Sequence, residues 1–350
     1  MTYAAARWIR ATGTTQHPDL ALTPAHVQSW REHGFAFVAG LFPDGLVQAL
    51  RRDAVSRFPA PGSPQAAAIT DFGSAGQLNF PADSAPFNEV TLHPRLLGSV
   101  GQLLGVQPTD IRLTQSDLWP KYGRATRPTS ALDNSDQRMH VDYPNHTLAH
   151  PPPWRRPEAV ELILYLDHVD ESGGATALVA REGADDPAYR WPIVDSPGIA
   201  DLDWVNDRAR AEAYFAQERP QLAAWRESLY AREQRVHYQP GDVLLYRHDT
   251  WHRGTPMIEG RLRLAHNITY RKASAEWLST LHVGWAWAAY RRDKLLEKLI
   301  ARASLTQRAV LGFPQPGSDF WEPETIAAIE ARYGVFGMDM TPYRAPDSAG

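Results

Sequence analysis

The sequence predicts an all-β core with flanking helices, an α+β arrangement in which a β-sandwich or barrel is buttressed at both ends. Several short apolar or alternating segments separated by turn residues lie between Ile111 and Tyr270, and helix start and stop signals gather before and after them. No internal repeat or low-complexity stretch points to an array instead. At 350 residues, with 43 % apolar content and 12 tryptophans, the chain has ample material for one sizeable core, and it is read as a single domain over 1–350. Residues 22–110 form an N-terminal buttress, 111–270 the core, and 271–350 a C-terminal helical extension.

Thr23-Pro24 opens the first helix, a hydroxyl cap followed by proline in the first turn, and Gly34 stops it. Residues 1–22 before it read as an irregular arm. Phe35 to Val38 is a short strand. Pro43-Asp44 opens a second helix running to about Arg57, where Pro59 and Pro61 break it. Residues 60–90, rich in Gly, Ser, Pro and Ala, read as a long loop. His93 to Leu104 carries Leu96, Leu97, Val100, Leu103 and Leu104 at helical spacing. Strands follow at Ile111–Trp119, at Glu161–Asp167, at Ala175–Val179 after the Gly173-Gly174 turn, at Val243–Arg247 and, most clearly alternating, at Arg261–Tyr270. Residues 121–137 are polar and turn-rich, and Gln137–Asp142 is extended. The insertion 181–236 is helix-rich from Asp207 to Gln234; it is either a lid, as long insertions commonly are, or a helical buttress. The tail from Ala273 is helical, with Trp277, Leu281, Trp285 and Trp287, then an amphipathic stretch from Arg291 to Arg302 and a last helix over Thr325–Tyr333.

Composition excludes several chemistries. There is no cysteine, so disulfides, thiolate metal sites and cysteine nucleophiles are out. A net charge of −4 with 22 % charged residues gives no electrostatic footprint for nucleic acid. No segment has the length of a membrane span and the start does not resemble a signal peptide, so a cytoplasmic protein with no membrane partner is expected. Nothing in the sequence fixes an oligomeric state.

Any metal must therefore be held by His, Asp or Glu. Side chains alternate faces along an extended segment, so His140 and Asp142 point the same way and can grip one ion. A third ligand has to come from another strand. Pro240-Gly241-Asp242 turns into a strand that delivers His252, 110 residues beyond Asp142. His248 is its nearby competitor. Two imidazoles and one carboxylate are the ligand set that holds iron(II) on one face and leaves positions open for oxygen chemistry. His-x-Asp alone carries little weight in a chain with 13 histidines, where a surface loop is its ordinary origin.

Arg263, 11 residues beyond His252, lies inside an alternating strand. A cation there is costly unless paired. A bound carboxylate would accept its bidentate fork, which favours an acidic co-substrate such as a 2-oxo acid; the ordinary alternative is a structural salt bridge. Arg261, on the same face nearer the strand end, reads as a solvated rim charge.

Leu22-Thr23-Pro24, Gly34 to Val38, His140-Val141-Asp142, Ser172-Gly173-Gly174-Ala175, Pro240-Gly241-Asp242, Trp251-His252-Arg253-Gly254 and Arg263, in that order and spacing, resemble the phytanoyl-CoA dioxygenase family across most of residues 22–270. The resemblance implies a double-stranded β-helix (jelly roll) that binds iron(II) and 2-oxoglutarate. It implies that His140, Asp142 and His252 are the iron ligands and that Arg263 holds the distal carboxylate of 2-oxoglutarate. The implied reaction consumes dioxygen, releases succinate and carbon dioxide, and hydroxylates an unactivated carbon of a small-molecule substrate. Gln115, Lys121 and Thr176 are candidate contacts to the oxo acid; Tyr143, Asn145 and Trp154 are candidates for the substrate mouth. The chain departs from the family where Val179-Ala180-Arg181-Glu182-Gly183 replaces a Pro-Gly-Ser-His run, in its long insertion and in its C-terminal extension. Asp142 is a true carboxylate, which disfavours the halogenating relatives.

Two other readings share parts of this pattern. A cupin-type jelly roll, enzymatic or a non-catalytic binding module, would gather His-x-His and a glutamate rather than His-x-Asp. A zinc metalloprotease would need Glu as the second residue of His248-Asp249-Thr250-Trp251-His252 and a helix beneath it.

Overall fold

The computed structural model describes residues 7–17, 20–69, 78–124, 136–142, 152–189, 207–275, 294–310 and 313–344. Two sheets face one another. The larger has the order β2(Thr12–Gly13)-β3(Phe35–Ala39)-β9(Val243–Tyr246)-β6(Ala159–Tyr165)-β11(Leu262–Lys272)-β5(Ile111–Tyr122)-β4(Leu78–Asn79); the smaller runs β1(Arg7–Ile9)-β8(Gln234–Val236)-β7(Thr176–Leu178)-β10(His252–Gly254). Along the free side of β10, His140 forms a further antiparallel bridge to His252, with N–H···O bonds of 2.9 Å in both directions.

Alternation sorts the side chains into two layers. On the inner face of the large sheet, Phe35, Phe37, Ile163, Tyr165, Leu244, Tyr246 and Ala265 pack towards Ala175, Leu178, Val236 and Tyr238. On its outer face, Val38, Leu162, Leu164, Val243, Leu245, Leu264 and Ile268 pack against helices α1 (Pro24–His33), α2 (Asp44–Arg57), α4 (Ala85–Thr91) and α5 (Pro94–Leu104). Each such side chain contributes roughly 1.5–3 kcal/mol when fully buried. The N-terminal helices thus cover one side of the sheet and leave the other for the site.

The outer layer holds one buried polar chain. His266, stacked on Phe87 at 4.4 Å, bonds through Nε2 to the Ser116 hydroxyl at 2.8 Å, which meets the Thr91 hydroxyl at 2.8 Å. Burial pushes His266 down to about 3, so it is a neutral imidazole serving structure.

Several expectations need correction. Residues 1–22 are not an irregular arm throughout: Arg7–Ile9 pairs in parallel with β8, and Thr12–Gly13 with β3. Residues 60–90 are not one loop. Ser63 and Ser84 cap helices α3 (Pro64–Ala68) and α4, each with proline in the first turn, the same device as Thr23. β5 does not stop at Trp119 but runs on to Tyr122, which brings Lys121 into the sheet. α6 is the short turn Val169–Ser172. The described part of the insertion contains α7 (Arg208–Glu218) and α8 (Pro220–Arg232). Near the C-terminus, α9 (Leu295–Arg302) and α11 (Pro323–Tyr333) gather around Phe313, Ile329 and Tyr333, and α10 (Leu305–Val310) is tied to α9 by Arg308, which donates to the Ile300 carbonyl; the expected tryptophan helix at 277–287 lies outside the described residues. Among the described residues, no helix is long and apolar enough to cross a membrane.

Candidate metal centre and co-substrate anchor

The bridge between the His140 segment and β10 sets two imidazoles side by side, their ring centroids 4.5 Å apart. Asp142 follows two residues later on the same face. Its Oδ2 lies 3.1 Å from His252 Nε2 and its Oδ1 3.7 Å from His140 Nε2. One ligand atom from each of the three residues falls within 4.8 Å of the others. His248 does not join them; its Nε2 is 3.1 Å from Glu161. Nor is there a helix beneath it of the kind a metalloprotease motif uses, since residues 248–252 form a turn running into β10.

Both imidazoles are oriented from behind. His140 Nδ1 sits 2.9 Å from the Arg138 carbonyl and His252 Nδ1 3.0 Å from the Thr250 carbonyl. A carbonyl there accepts only from Nδ1–H, so in the neutral rings both Nε2 lone pairs turn towards Asp142, the arrangement that metal-binding histidines adopt. Burial and the neighbouring His252 push His140 down to about 3. Burial acts against a charge on His252 as well, but the Asp142 carboxylate outweighs it and pushes His252 up to about 9. The Asp142 carboxylate therefore favours a protonated His252 beside it.

A second cluster lies next to this one. Arg263 on β11 is the direct neighbour of Lys121 on β5. Two cations at paired positions repel. The compensating charge that Lys121 feels is Asp136, which is engaged by Arg253 and Arg208. Burial, and then Arg263, push the Lys121 ammonium down to about 7. Arg263 makes no salt bridge among the described residues. Its guanidinium donates to the Gly174 carbonyl, and its buried Nε has no partner there. Gly174 has a φ of +66°, a left-handed conformation that presents this carbonyl, which gives the Gly-Gly turn its role.

Gly254 joins the two clusters. It lies two residues from His252 on β10, about 7 Å along the strand. A Cβ on Gly254 would come within 2.8 Å of both Lys121 Nζ and Gln137 Oε1, so the ammonium reaches the backbone there because no side chain intervenes. Thr176 pairs with Gly254 across the β7–β10 ladder, and its hydroxyl accepts from Tyr165 at 2.7 Å. Tyr165 stacks on Tyr238 at 4.2 Å. Burial pushes both phenols up, so they remain protonated donors beside Arg263.

The structure thus gathers His140, Asp142 and His252 at one point, and Arg263, Lys121 and Thr176 around Gly254. Gln115 is not gathered with them. It lies six residues from Lys121 along β5, about 20 Å at a rise of ~3.3 Å per residue, and its amide bonds Asp117 at 2.7 Å. Trp154 spends its N–H on the Arg31 carbonyl at 2.7 Å and its ring on Arg247 and Arg181, so its contacts are those of a packing residue. Tyr143 and Asn145 lie outside the described residues. Arg261 is exposed, as a rim charge should be. Sequence reasoning passed over Gln137, Gly254 and the two tyrosines; of these only Trp251-His252-Arg253-Gly254 carried a signal, as part of the motif.

The sequence pattern of the family described as phytanoyl-CoA dioxygenase (PhyH) matches residues 30–264, spanning both clusters. The chain belongs to the phytanoyl-CoA dioxygenase family. Iron(II) and 2-oxoglutarate are the cofactor and co-substrate of this family of oxygenases, and the jelly-roll core is its fold. No curated protein matches the chain. Similar solved structures include EvdO2 from Micromonospora carbonacea var. aurantiaca (15 % identity over 76 % of this chain and 94 % of that one, TM-score 0.49). SnoK, a non-heme α-ketoglutarate-dependent carbocyclase from nogalamycin biosynthesis, is 16 % identical over 85 % of this chain and 94 % of its own (TM-score 0.48). EctD from S. alaskensis is 14 % identical over 76 % and 83 % (TM-score 0.48). At such identities, the reactions of these proteins are theirs alone.

Proposed function

We propose that this dioxygenase-family chain hydroxylates an unactivated carbon of a small molecule, with His140, Asp142 and His252 holding iron(II) and Lys121 and Arg263 holding the distal carboxylate of 2-oxoglutarate. The observation that carries the reading is the pairing of the two clusters. A three-ligand centre with both Nε2 atoms converging lies one short strand step from two half-buried cations that share no carboxylate of their own. A dicarboxylic acid would chelate at one end and neutralise the repelling cations at the other. Arg263 supplies a planar fork and Lys121 a point charge. Thr176, Tyr165 and Tyr238 supply hydroxyl groups beside the Arg263 end.

The donor set fits iron(II), since two imidazoles and a carboxylate on one face leave the opposite face for co-substrate and dioxygen. When bound, the metal supplies the oxygen chemistry, coupled to decarboxylation of the oxo acid. The chain's residues orient and shield it. The Arg138 and Thr250 carbonyls fix the imidazoles, His252 would give up the Nε2 proton that Asp142 favours, and the wall of Phe37, Tyr165, Leu244 and Tyr246 keeps water from the interior. We place the whole chain in one domain, with the core at 111–270.

The test is turnover. Protein supplied with iron(II), 2-oxoglutarate and dioxygen is expected to form succinate slowly without a primary substrate, and Asp142→Ala to form none. Succinate at the wild-type rate from Asp142→Ala, or tight zinc binding with no oxo-acid turnover, contradicts the reading; the second result is the one a cupin-type protein would give.

A further inference from the structure

Helix α8 touches the chain immediately before each of the two imidazoles. Met139 precedes His140. Its N–H donates to the Tyr230 hydroxyl at 2.9 Å, and its carbonyl accepts from Arg226 Nη2 at 3.0 Å. Both polar groups of that peptide segment are thus held by two side chains one helical turn apart. Trp251 precedes His252. Its ring is met edge-to-face by Trp225, 5.1 Å between centroids, and its indole N–H donates to the Ala188 carbonyl at 2.9 Å. Trp225, Arg226, Leu229 and Tyr230 stand at positions i, i+1, i+4 and i+5, so a single face of α8 presents all four.

That face is locked in turn. Arg226, with no exposed surface, forks onto Glu212 of α7, with Nε 3.0 and 3.1 Å from its two oxygens and Nη2 2.7 Å from Oε1. Tyr230 donates to the same Glu212 at 2.6 Å. A fully buried arginine is costly unless every partner is in place, so the set forms as a unit or not at all. Met139, Val141, Leu229 and Trp251 close the apolar layer between helix and metal centre.

We propose that Arg226 and Tyr230 are positioning residues for the metal centre, and that the helical pair 208–232 acts as a rear brace setting the spacing of the two imidazoles. This rests on the reading of His140 and His252 as iron ligands. Residues that orient a ligand from behind typically carry 10–100-fold in metal affinity.

The experiment titrates Co(II) into the full chain, followed by its d–d absorption, alongside thermal unfolding of the metal-free protein. Tyr230→Phe keeps the ring and removes the hydroxyl between Met139 and Glu212. Its affinity for Co(II) is expected to fall 10–100-fold, and Arg226→Met to lose at least as much. If Arg226→Met does not fold, Tyr230→Phe carries the test. Ser116→Ala, which breaks the buried Ser116–His266 bond on the far side of the sheet, serves as the control for general destabilisation and should bind Co(II) as the wild type does. Wild-type affinity in folded Tyr230→Phe overturns the proposal, as does an equal loss in Ser116→Ala. Asp142→Ala separates the two levels of the argument. It should bind no Co(II), and wild-type binding by that variant would remove the iron reading and the brace together.

Discussion

Replacing Lys121 by methionine isolates the co-substrate anchor. The substitution keeps an unbranched apolar stem and removes one of two cations that face each other across β5 and β11. Burial, and then Arg263, push the Lys121 ammonium down to about 7. A bound dicarboxylate stabilises the charged form, so it raises that value and its binding takes up protons. The sign follows: the charged form is present below about 7 and is lost above it, so 2-oxoglutarate affinity falls as pH rises. If the loaded ammonium stays charged, the dissociation constant should rise with pH above about 7, by up to about tenfold per pH unit. Lys121→Met should abolish this slope. It should also weaken binding at pH 6.5 by about 10–100-fold, the worth of one hydrogen bond to a charged group at roughly 1.5–3 kcal/mol. Metal-free stability should hold or rise, since a repelling half-buried charge has gone. The assay is anaerobic calorimetric titration of 2-oxoglutarate into metal-saturated protein at several pH values. An unchanged dissociation constant in folded Lys121→Met, or a wild-type affinity that rises with pH, would refute the anchor.

Three further outcomes follow from the same geometry. Arg263→Lys keeps the charge but loses the fork that bonds the Gly174 carbonyl, so 2-oxoglutarate binding should weaken by about tenfold or more while metal affinity holds; calorimetry reads both. Gly254→Ala puts a methyl within 2.8 Å of Lys121 Nζ and Gln137 Oε1, so it should displace the ammonium and raise the 2-oxoglutarate dissociation constant, checked by the same titration. Ser116→Ala leaves the buried His266 Nε2 without its partner and should cost about 1–3 kcal/mol in chemical denaturation, with the co-substrate constant unchanged.

The local parts of this protein were legible because their causes are local. Thr23-Pro24 with Gly34 specifies a helix within twelve residues, and the alternation from Arg261 to Tyr270 specifies a strand with Arg263 on one face and Leu264 on the other. Ser63-Pro64 and Ser84-Ala85-Pro86 carry the same cap signature but were masked by loop-like composition around them. Lys121 was read outside its strand because Pro120 precedes it, whereas β5 continues through the proline, paired to Leu264 of β11, and on to Tyr122. The strand at Arg7–Ile9 owes its state to parallel pairing with residues 234–236, which no local signal encodes. The candidate ligands show the same division. His140 and Asp142 were legible as a pair on one face, and the spacing to Arg263 singled out His252 over His248, but the bridge that sets His140 beside β10 is a contact across more than a hundred residues that no local signal encodes. The side chains behind the centre were the least legible: Arg226 and Tyr230 look like ordinary helix residues until Glu212 and Met139 are brought to them.

The most direct measurement is an anaerobic titration of the protein with iron(II) and then 2-oxoglutarate, recorded by visible absorption. The account predicts a metal-to-ligand charge-transfer band that saturates at one equivalent in the wild type, is absent in Asp142→Ala and His252→Ala, and in Lys121→Met and Arg263→Lys needs far more 2-oxoglutarate to form. A band of wild-type strength in the ligand variants, or none in the wild type with both components bound, would contradict it.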